Sequence, residues 1–153
     1  MRLLLGDDEH VAAWAAGLIP HMHGRGFGDC RAIGVVSERG EPLAGVVFSN
    51  FLPQYRSIEI SLATSTPRCL TRRLMQEIMA YPFEQLACQR VTAITPRRAA
   101  AIRRFIDGFG FKREGLVRRG FGDDDAVISG LLKREWLRSK WVGGVQEGRA
   151  RGR

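Results

Sequence analysis

The chain of 153 residues is long enough to bury one hydrophobic core and too short for two full domains. Its composition, 44% hydrophobic and 26% charged residues, excludes a disordered chain, and no window reaches the ~20 consecutive apolar residues of a membrane span. The apolar run at residues 2–5 is too short for a signal peptide and acids follow it at once, so we expect a cytoplasmic location.

The net charge of +8 raises the hypothesis of a nucleic-acid partner. Nearly all of the positive charge is arginine, as a GC-rich genome would encode, and part of it lies in the C-terminal tail. No recognition-helix, RNP or zinc motif accompanies the charge, so a nucleic-acid partner is disfavoured. The three cysteines are widely spaced and the His21-x-His23 pair lacks a third ligand, so we predict free thiols and no metal site.

The first third of the chain predicts a strand, a helix and a hairpin. Residues 2–5 form a short strand, and an acidic first turn then opens a helix that stops at Pro20. Two β-rich runs, 31–36 and 43–48, flank a turn and predict a hairpin, after which residues 50–54 predict a loop.

The stretch 57–114 organises the rest of the chain. Its opening strand, Ser57–Thr64, alternates isoleucines with polar residues, so Glu59 points to the opposite face from Ile58. A helix follows Cys69 and ends near Tyr81, because the next residue is proline. A second strand at 90–95 and a second helix at 97–107 complete a βαβα unit, whose two strands must run parallel.

The C-terminal third predicts a second hairpin and a tail. Residues 112–119 and 126–132 form its strands, and the three aspartates of the loop between them read as a solvated turn. We expect one domain over residues 1–136 and a flexible, basic, Gly- and Arg-rich tail over residues 137–153.

The order β-α-β-β-β-α-β-α-β-β, with three local stretches, resembles the GNAT acetyltransferase superfamily. Residues 109–115 (FGFKREG) resemble the Gly-Phe-x-x-Glu-Gly segment after the last helix of the ribosomal-protein N-terminal acetyltransferase type. Residues 127–136 resemble the final strand of that type with its Glu-Trp ending, and residues 81–93 resemble its helix-to-strand junction. The resemblance implies a layered α+β domain with a mixed, mostly antiparallel sheet of six to seven strands and a central splayed parallel pair.

The resemblance also implies a cofactor site. In this family acetyl-CoA lies in a V-shaped gap between the two parallel strands, and its pyrophosphate rests on amides at the N-terminus of the following helix. Free amides and the helix dipole make such a terminus an anion site in any protein. The residues placed at the cofactor are Leu62, Ala63, Thr64, Arg68, Cys69, Leu70, Thr71, Arg72, Arg73 and Arg98.

The implied activity is acetyl transfer to a primary amine, which must lose a proton before it attacks the thioester. Glu59 matches the strand position at which several members carry the base. The loop 67–72 has no glycine, and side chains at Cys69 or Leu70 would crowd phosphates; at Phe105 the family often has a tyrosine that protonates the thiolate. Two alternatives therefore stay open: a non-catalytic binding or assembly module of the same fold, and a nucleic-acid-binding protein. A homodimer through the last hairpin is a further expectation.

Overall fold

The computed structural model describes residues 1–22 and 25–142, which form one α+β domain. The strands are β1 (Arg2–Leu4), β2 (Cys30–Val36), β3 (Pro42–Leu52), β4 (Ser57–Thr64), β5 (Arg90–Pro96), β6 (Lys112–Val117) and β7 (Ala126–Leu132). The helices are α1 (Asp8–Leu18), α2 (Arg72–Ala80), α3 (Ala100–Phe109) and α4 (Lys133–Arg138). Single turns of 3₁₀ helix occupy Pro20–Met22, Pro53–Tyr55 and Pro67–Cys69.

All seven strands belong to one sheet with the order β1-β2-β3-β4-β5-β7-β6. Five of the six neighbouring pairs are antiparallel, and β4 and β5 form the one parallel pair of the sheet. This architecture confirms the fold predicted from the sequence. Strands β4 and β5 can run parallel because α2 crosses over between them, and the pair lies in the middle of the sheet.

Apolar residues cover both faces of the sheet. On one face α1 packs through Val11 and Ala15 against Ala32, Val47 and Ala63. On the other face α2, α3 and α4 enclose the larger core, which contains Phe48, Ile78, Met79, Phe83, Leu131 and Trp136. The alternation of β4 places Glu59 and Ala63 on the α1 face and Ile58 on the larger core.

Four element boundaries differ from the sequence predictions. The expected loop at 50–54 is largely strand, since β3 continues to Leu52. The helix before Pro82 does not stop there: it widens into a π-helical turn, Tyr81–Gln85, closed by the Leu86 N–H bond to the Tyr81 carbonyl at 3.0 Å. Pro82 has no N–H to donate to the preceding turn and its ring crowds that turn, and a widened turn is one way in which a helix continues past such a residue. The next helix starts at Ala100 rather than at residue 97, and β6 ends at Val117 rather than at residue 119.

Two ion pairs fasten the edge strand β6. Arg90 Nη1 lies 3.0 Å from Glu114 Oε2, across the sheet, and Lys112 contacts Glu135 of α4. Glu135 also accepts the Leu132 N–H at 3.0 Å, which caps the start of α4. Hydrogen bonding to Arg90 lowers the pKa of Glu114, and hydrogen bonding to Lys112 lowers the pKa of Glu135.

Two glycines of this hairpin have no room for a side chain. A Cβ on Gly120 would lie 2.5 Å from the Ala126 Cβ and 3.3 Å from its backbone nitrogen. A Cβ on Gly130 would meet the charged ends of Arg90 and Glu114 at less than 3.0 Å. The atoms of Ala126 near Gly120 are fixed, whereas the ends of the Arg90 and Glu114 side chains near Gly130 are flexible and can move.

The chain continues to pack against the domain beyond α4. The Trp141 ring lies 4.7 Å from that of Phe109, and Gln76 donates to the Trp141 carbonyl at 2.5 Å. The predicted tail lies from residue 143 onward outside the described residues, so the domain boundary near 136 stays a prediction. No helix in the described part of the chain is long and apolar enough to cross a membrane.

Candidate functional site

The parallel strands β4 and β5 separate after three residue pairs. Ser57, Ile58 and Glu59 pair with Arg90, Val91 and Thr92, and beyond them the two strands diverge. Their outer edges stay bonded, β4 to β3 as far as Thr64 and β5 to β7 as far as Pro96. The facing edges, residues 60–64 and 93–96, therefore keep backbone donors and acceptors that no strand uses.

A cleft of about 610 Å³ occupies the space between the diverging strands. Its floor is the backbone and side chains of Ile60–Thr64 and Ala93–Pro96, and its lining includes residues from both faces of the sheet. On the α2 and α3 face its wall is apolar and is formed by Met75, Ile102, Phe105, Ile106, Phe109 and Phe111. On the α1 face its rim is formed by Leu18, Ile19, Pro20, His21, Phe121, Asp123 and Asp124. Leu62, Ala63, Thr64 and Arg98, which the sequence placed at the cofactor, all line this cleft.

The turn from β4 into α2 is organised by the Thr64 hydroxyl. This oxygen lies 2.7 Å from the Thr66 carbonyl and accepts the Thr66 N–H at 3.1 Å. It is also 3.2 Å from the Leu43 carbonyl and 3.6 Å from Cys69 Sγ. One hydroxyl has one proton, so the shorter contact to Thr66 is the donated bond. The hydroxyl thus closes a tight turn at the end of the cleft.

The glycine-free loop does not crowd the N-terminus of α2. Cys69 and Leu70 are 1% and 6% exposed, because the 3₁₀ turn Pro67–Cys69 directs both side chains into the core. The expectation that they obstruct a phosphate was wrong for this reason. Thr71 caps α2 by accepting the Leu74 N–H at 3.3 Å, which leaves the Arg72 and Arg73 amides in the first turn without a partner inside the helix.

The arginines near this helix end differ in their pairing. Arg73 lies on the exposed surface with its Nε 3.3 Å from Glu77 Oε1. Arg68 and Arg72 are exposed too, and no carboxylate in the described chain lies within ion-pair distance of either. Their charge is therefore available to an anionic ligand at the start of α2.

Arg98 is held by the loop between β6 and β7. Its Nη2 donates to the Asp123 carbonyl at 3.2 Å, and its guanidinium lies within 4.0 Å of the carboxylates of Asp123 and Asp124. Asp124 also accepts the Arg98 N–H at 2.9 Å, and this bond is the main reason why its pKa is lowered. The guanidinium is thus neutralised by carboxylates, and an anion would have to compete with them.

Glu59 lies at the last paired position before the cleft, on the α1 face. Its Oε1 accepts a hydrogen bond from Asn50 Nδ2 at 3.0 Å, and it does not itself line the cleft. Ser61 projects from the same face two residues further on, roughly 6.6 Å along the strand, and does line it. A proton path from the cleft to Glu59 would therefore need an intervening water.

His21 is a cleft residue that the sequence did not identify. Its ring packs on Phe121 with the centroids 4.5 Å apart, and it is half-buried at the rim. Partial burial, assisted by the positive charge of Arg25, lowers its pKa. No periodicity marks this residue, since it lies in the single 3₁₀ turn after α1 and its ring partner is 100 positions away in the chain.

No family model matches the chain, and no curated protein matches it. Solved structures do. A probable acetyltransferase superposes with a TM-score of 0.62 at 23% identity, over 71% of this chain and 64% of the other, so the chain spans less than two thirds of that protein. A point mutant of the spermidine N-acetyltransferase SpeG from Vibrio cholerae superposes with a TM-score of 0.69 at 15% identity, over 90% and 98% of the two chains. A dodecameric structure of the V. cholerae spermidine N-acetyltransferase superposes with a TM-score of 0.62 at 17% identity, over 78% and 72%. At these identities the likeness establishes a shared fold.

Proposed function

We propose that this chain is an acetyl-CoA-dependent N-acetyltransferase that moves an acetyl group to a primary amine. The observation that carries the proposal is the cleft between β4 and β5, which is lined by residues from both faces of the sheet. One face can admit a thioester and the other an amine, so the two reactants meet without displacing each other. The shared fold with acetyltransferases supports the same conclusion.

The chemistry of the cleft fits the cofactor. A linear arm with amide groups can bond the unpaired edge of β4 at Leu62 to Thr64, as an added strand would. The pyrophosphate fits the first-turn amides of α2, where Arg68 and Arg72 add unpaired positive charge. When bound, acetyl-CoA supplies the activated acetyl group. The chain's part is to align that group in the gap and to exclude water with the aromatic wall of α3.

The sequence suggests Glu59 as the proton acceptor, and because Glu59 does not line the cleft it could act only through a water next to Ser61. If Glu59 has this role, Glu59→Gln lowers turnover and changes its pH profile while acetyl-CoA binding is kept. An unchanged profile would remove Glu59 from this role.

The decisive experiment is calorimetry with acetyl-CoA followed by a thiol-release assay with a panel of primary amines. We expect binding that weakens with salt, and CoA release with at least one amine. Absence of binding at millimolar acetyl-CoA would overturn the proposal. A peptide that begins with the N-terminal sequence of a ribosomal protein belongs in the panel, because the 109–115 and 127–136 motifs resemble that acetyltransferase type.

One observation favours a second candidate, a non-catalytic module that only binds the cofactor. Phe105 and Ile106 line the cleft where a thiolate-protonating tyrosine is expected, and no tyrosine is among the described lining residues. Saturable acetyl-CoA binding without thiol release across the panel would select this alternative.

Two finer points belong to the same proposal. A cytoplasmic location of the protein agrees with the use of acetyl-CoA, a cofactor of the cytoplasm. A homodimer through β6 fits its position at the edge of the sheet, where Leu116 and Val117 are 48% and 46% exposed. Light scattering across a concentration series would test the dimer.

A further inference from the structure

Acetyl transfer to an amine at neutral pH needs a group that removes the ammonium proton. A primary amine such as that of lysine has a pKa of ~10.4, so at pH 7 only about one molecule in 2,500 is the free base. The acceptor group must reach the amine, must be unprotonated at working pH and must not be engaged elsewhere. These three requirements can be tested on each titratable residue that lines the cleft.

The described lining contains four ionisable side chains, and three of them fail. Arg98 carries a guanidinium group, which donates hydrogen bonds and offers no acceptor for a proton. Asp124 is already bonded to the Arg98 and Asp125 amides at 2.9 and 2.8 Å. Asp123 is 88% exposed, so its carboxylate faces water beside Arg98 rather than the cleft interior.

His21 meets all three requirements. It lines the cleft directly after α1, which packs on the face of the sheet opposite to α2. Its ring packs against that of Phe121 with the centroids 4.5 Å apart and the planes tilted by 44°, and no described residue forms a hydrogen bond to it. Within the described part of the chain both ring nitrogens are thus without a hydrogen-bond partner, and one of them is a base in the neutral imidazole.

We propose that His21, rather than Glu59, takes the proton from the incoming amine, because His21 lines the cleft and Glu59 does not. The inference rests on the proposed acetyltransferase function and identifies the α1 face as the acceptor side. The ammonium ion gives one proton to the imidazole, and the freed nitrogen lone pair forms the N–C bond to the thioester carbonyl. The C–S bond breaks, the second nitrogen proton goes to the CoA thiolate, and the imidazolium returns its proton to water. The products are the N-acetyl amide, CoA thiol and one proton.

The charges around His21 favour this role. Arg25, in the loop that follows it, opposes a positive imidazole and, with burial, lowers its pKa. Two carboxylates on another element also face the rim, those of Asp123 and Asp124 in the β6–β7 loop. Their negative charge is balanced in part by Arg98, which lies between β5 and α3. Burial and Arg25 thus both favour the neutral imidazole, and the nearby carboxylates still attract a cationic amine.

The test compares His21→Gln with His10→Gln. His10 is a matched control because it is exposed on α1, outside the cleft, and its ring bonds Asp7 at 2.7 Å. We expect kcat/KM of the unchanged chain and of His10→Gln to level off above the pKa of His21. For His21→Gln we expect kcat/KM to fall by ~10²–10⁴ at pH 7 and to rise about tenfold per pH unit towards the pKa of the amine. Imidazole added to His21→Ala should restore part of the loss.

A second measurement does not depend on activity. Histidine resonances, assigned from the two variants, should titrate below pH 6.5 for His21 and above it for His10. A His21→Gln variant with the unchanged chain's pH profile, or a pH profile of the unchanged chain that does not follow the titration of the His21 resonance, would overturn the inference alone. A chain that binds acetyl-CoA but acetylates no amine would instead overturn the proposed function, and the inference with it.

Discussion

Replacing Thr64 with valine should loosen the turn between β4 and α2 without changing its shape. Valine has nearly the same volume and suits a strand equally well, so only the hydroxyl is lost. The hydroxyl makes one donated bond at 2.7 Å and one accepted bond at 3.1 Å, both with Thr66. At about 0.5–1.5 kcal/mol for each bond, the free energy of unfolding should fall by about 1–3 kcal/mol. In a domain of this size, that loss corresponds to about 2–12 °C in Tm.

Urea unfolding and thermal melts would measure this loss, and calorimetry would measure acetyl-CoA binding. If reordering the loosened turn around the phosphates costs about 1.4 kcal/mol of binding free energy, the affinity for acetyl-CoA falls about tenfold. Ser65→Ala is the matched control, because Ser65 donates a more exposed bond to the Leu43 carbonyl at 3.2 Å, and its loss should stay within ~0.5 kcal/mol. Equal stability of the two variants would refute the assignment of the turn to the Thr64 hydroxyl.

Three further predictions concern the hairpin, the acid limit and the anion site. Gly120→Ala should lower the free energy of unfolding by about 1–3 kcal/mol and Gly130→Ala by less, because only the first meets fixed atoms; an equal loss would contradict this. Because the pKa of Glu135 is lowered in the folded chain, its carboxylate stabilises the fold at pH values above the pKa that it has in the unfolded chain. That stabilisation is lost as the pH falls through the lowered pKa. Glu135→Gln should therefore flatten the stability curve below about pH 4.5, in acid melts monitored by circular dichroism. Arg72→Ala should weaken acetyl-CoA binding several-fold and reduce its salt dependence, whereas Arg113→Ala on the exposed edge strand should change neither.

The order of elements was predictable from the chain because each segment carries a local signal. The alternation of Ile58, Glu59 and Ile60 predicts a strand, and the helical pattern after Cys69 predicts the crossover that makes the next strand parallel. The ends of helices and strands were less predictable where a sequence rule permits more than one structure. At Pro82 the helix could either stop or widen, and packing of the buried Phe83 against Trp136 accompanies the wider turn.

The candidate site was predictable only in part, because its geometry depends on contacts between distant segments. Alternation continues unbroken through Leu62, so nothing local marks the point at which β4 leaves β5. The pairing of Arg98 with the Asp123–Asp124 loop joins residues 25 or more positions apart. The inward turn of Cys69 likewise follows from core packing, which a motif comparison with glycine-containing loops does not capture.

The short run of pairing between β4 and β5 has a mechanical consequence. Strands β1 to β4 form one half-sheet and β5, β7 and β6 form another, joined edge to edge by three residue pairs. Because so few pairs join them, the two half-sheets can separate locally at a lower free energy than that of global unfolding. A ligand that hydrogen-bonds to both free edges would hold the two half-sheets together. Amide hydrogens of residues 60–64 and 93–95 would then report its binding by slowed exchange with solvent, next to the three residue pairs that join the two halves.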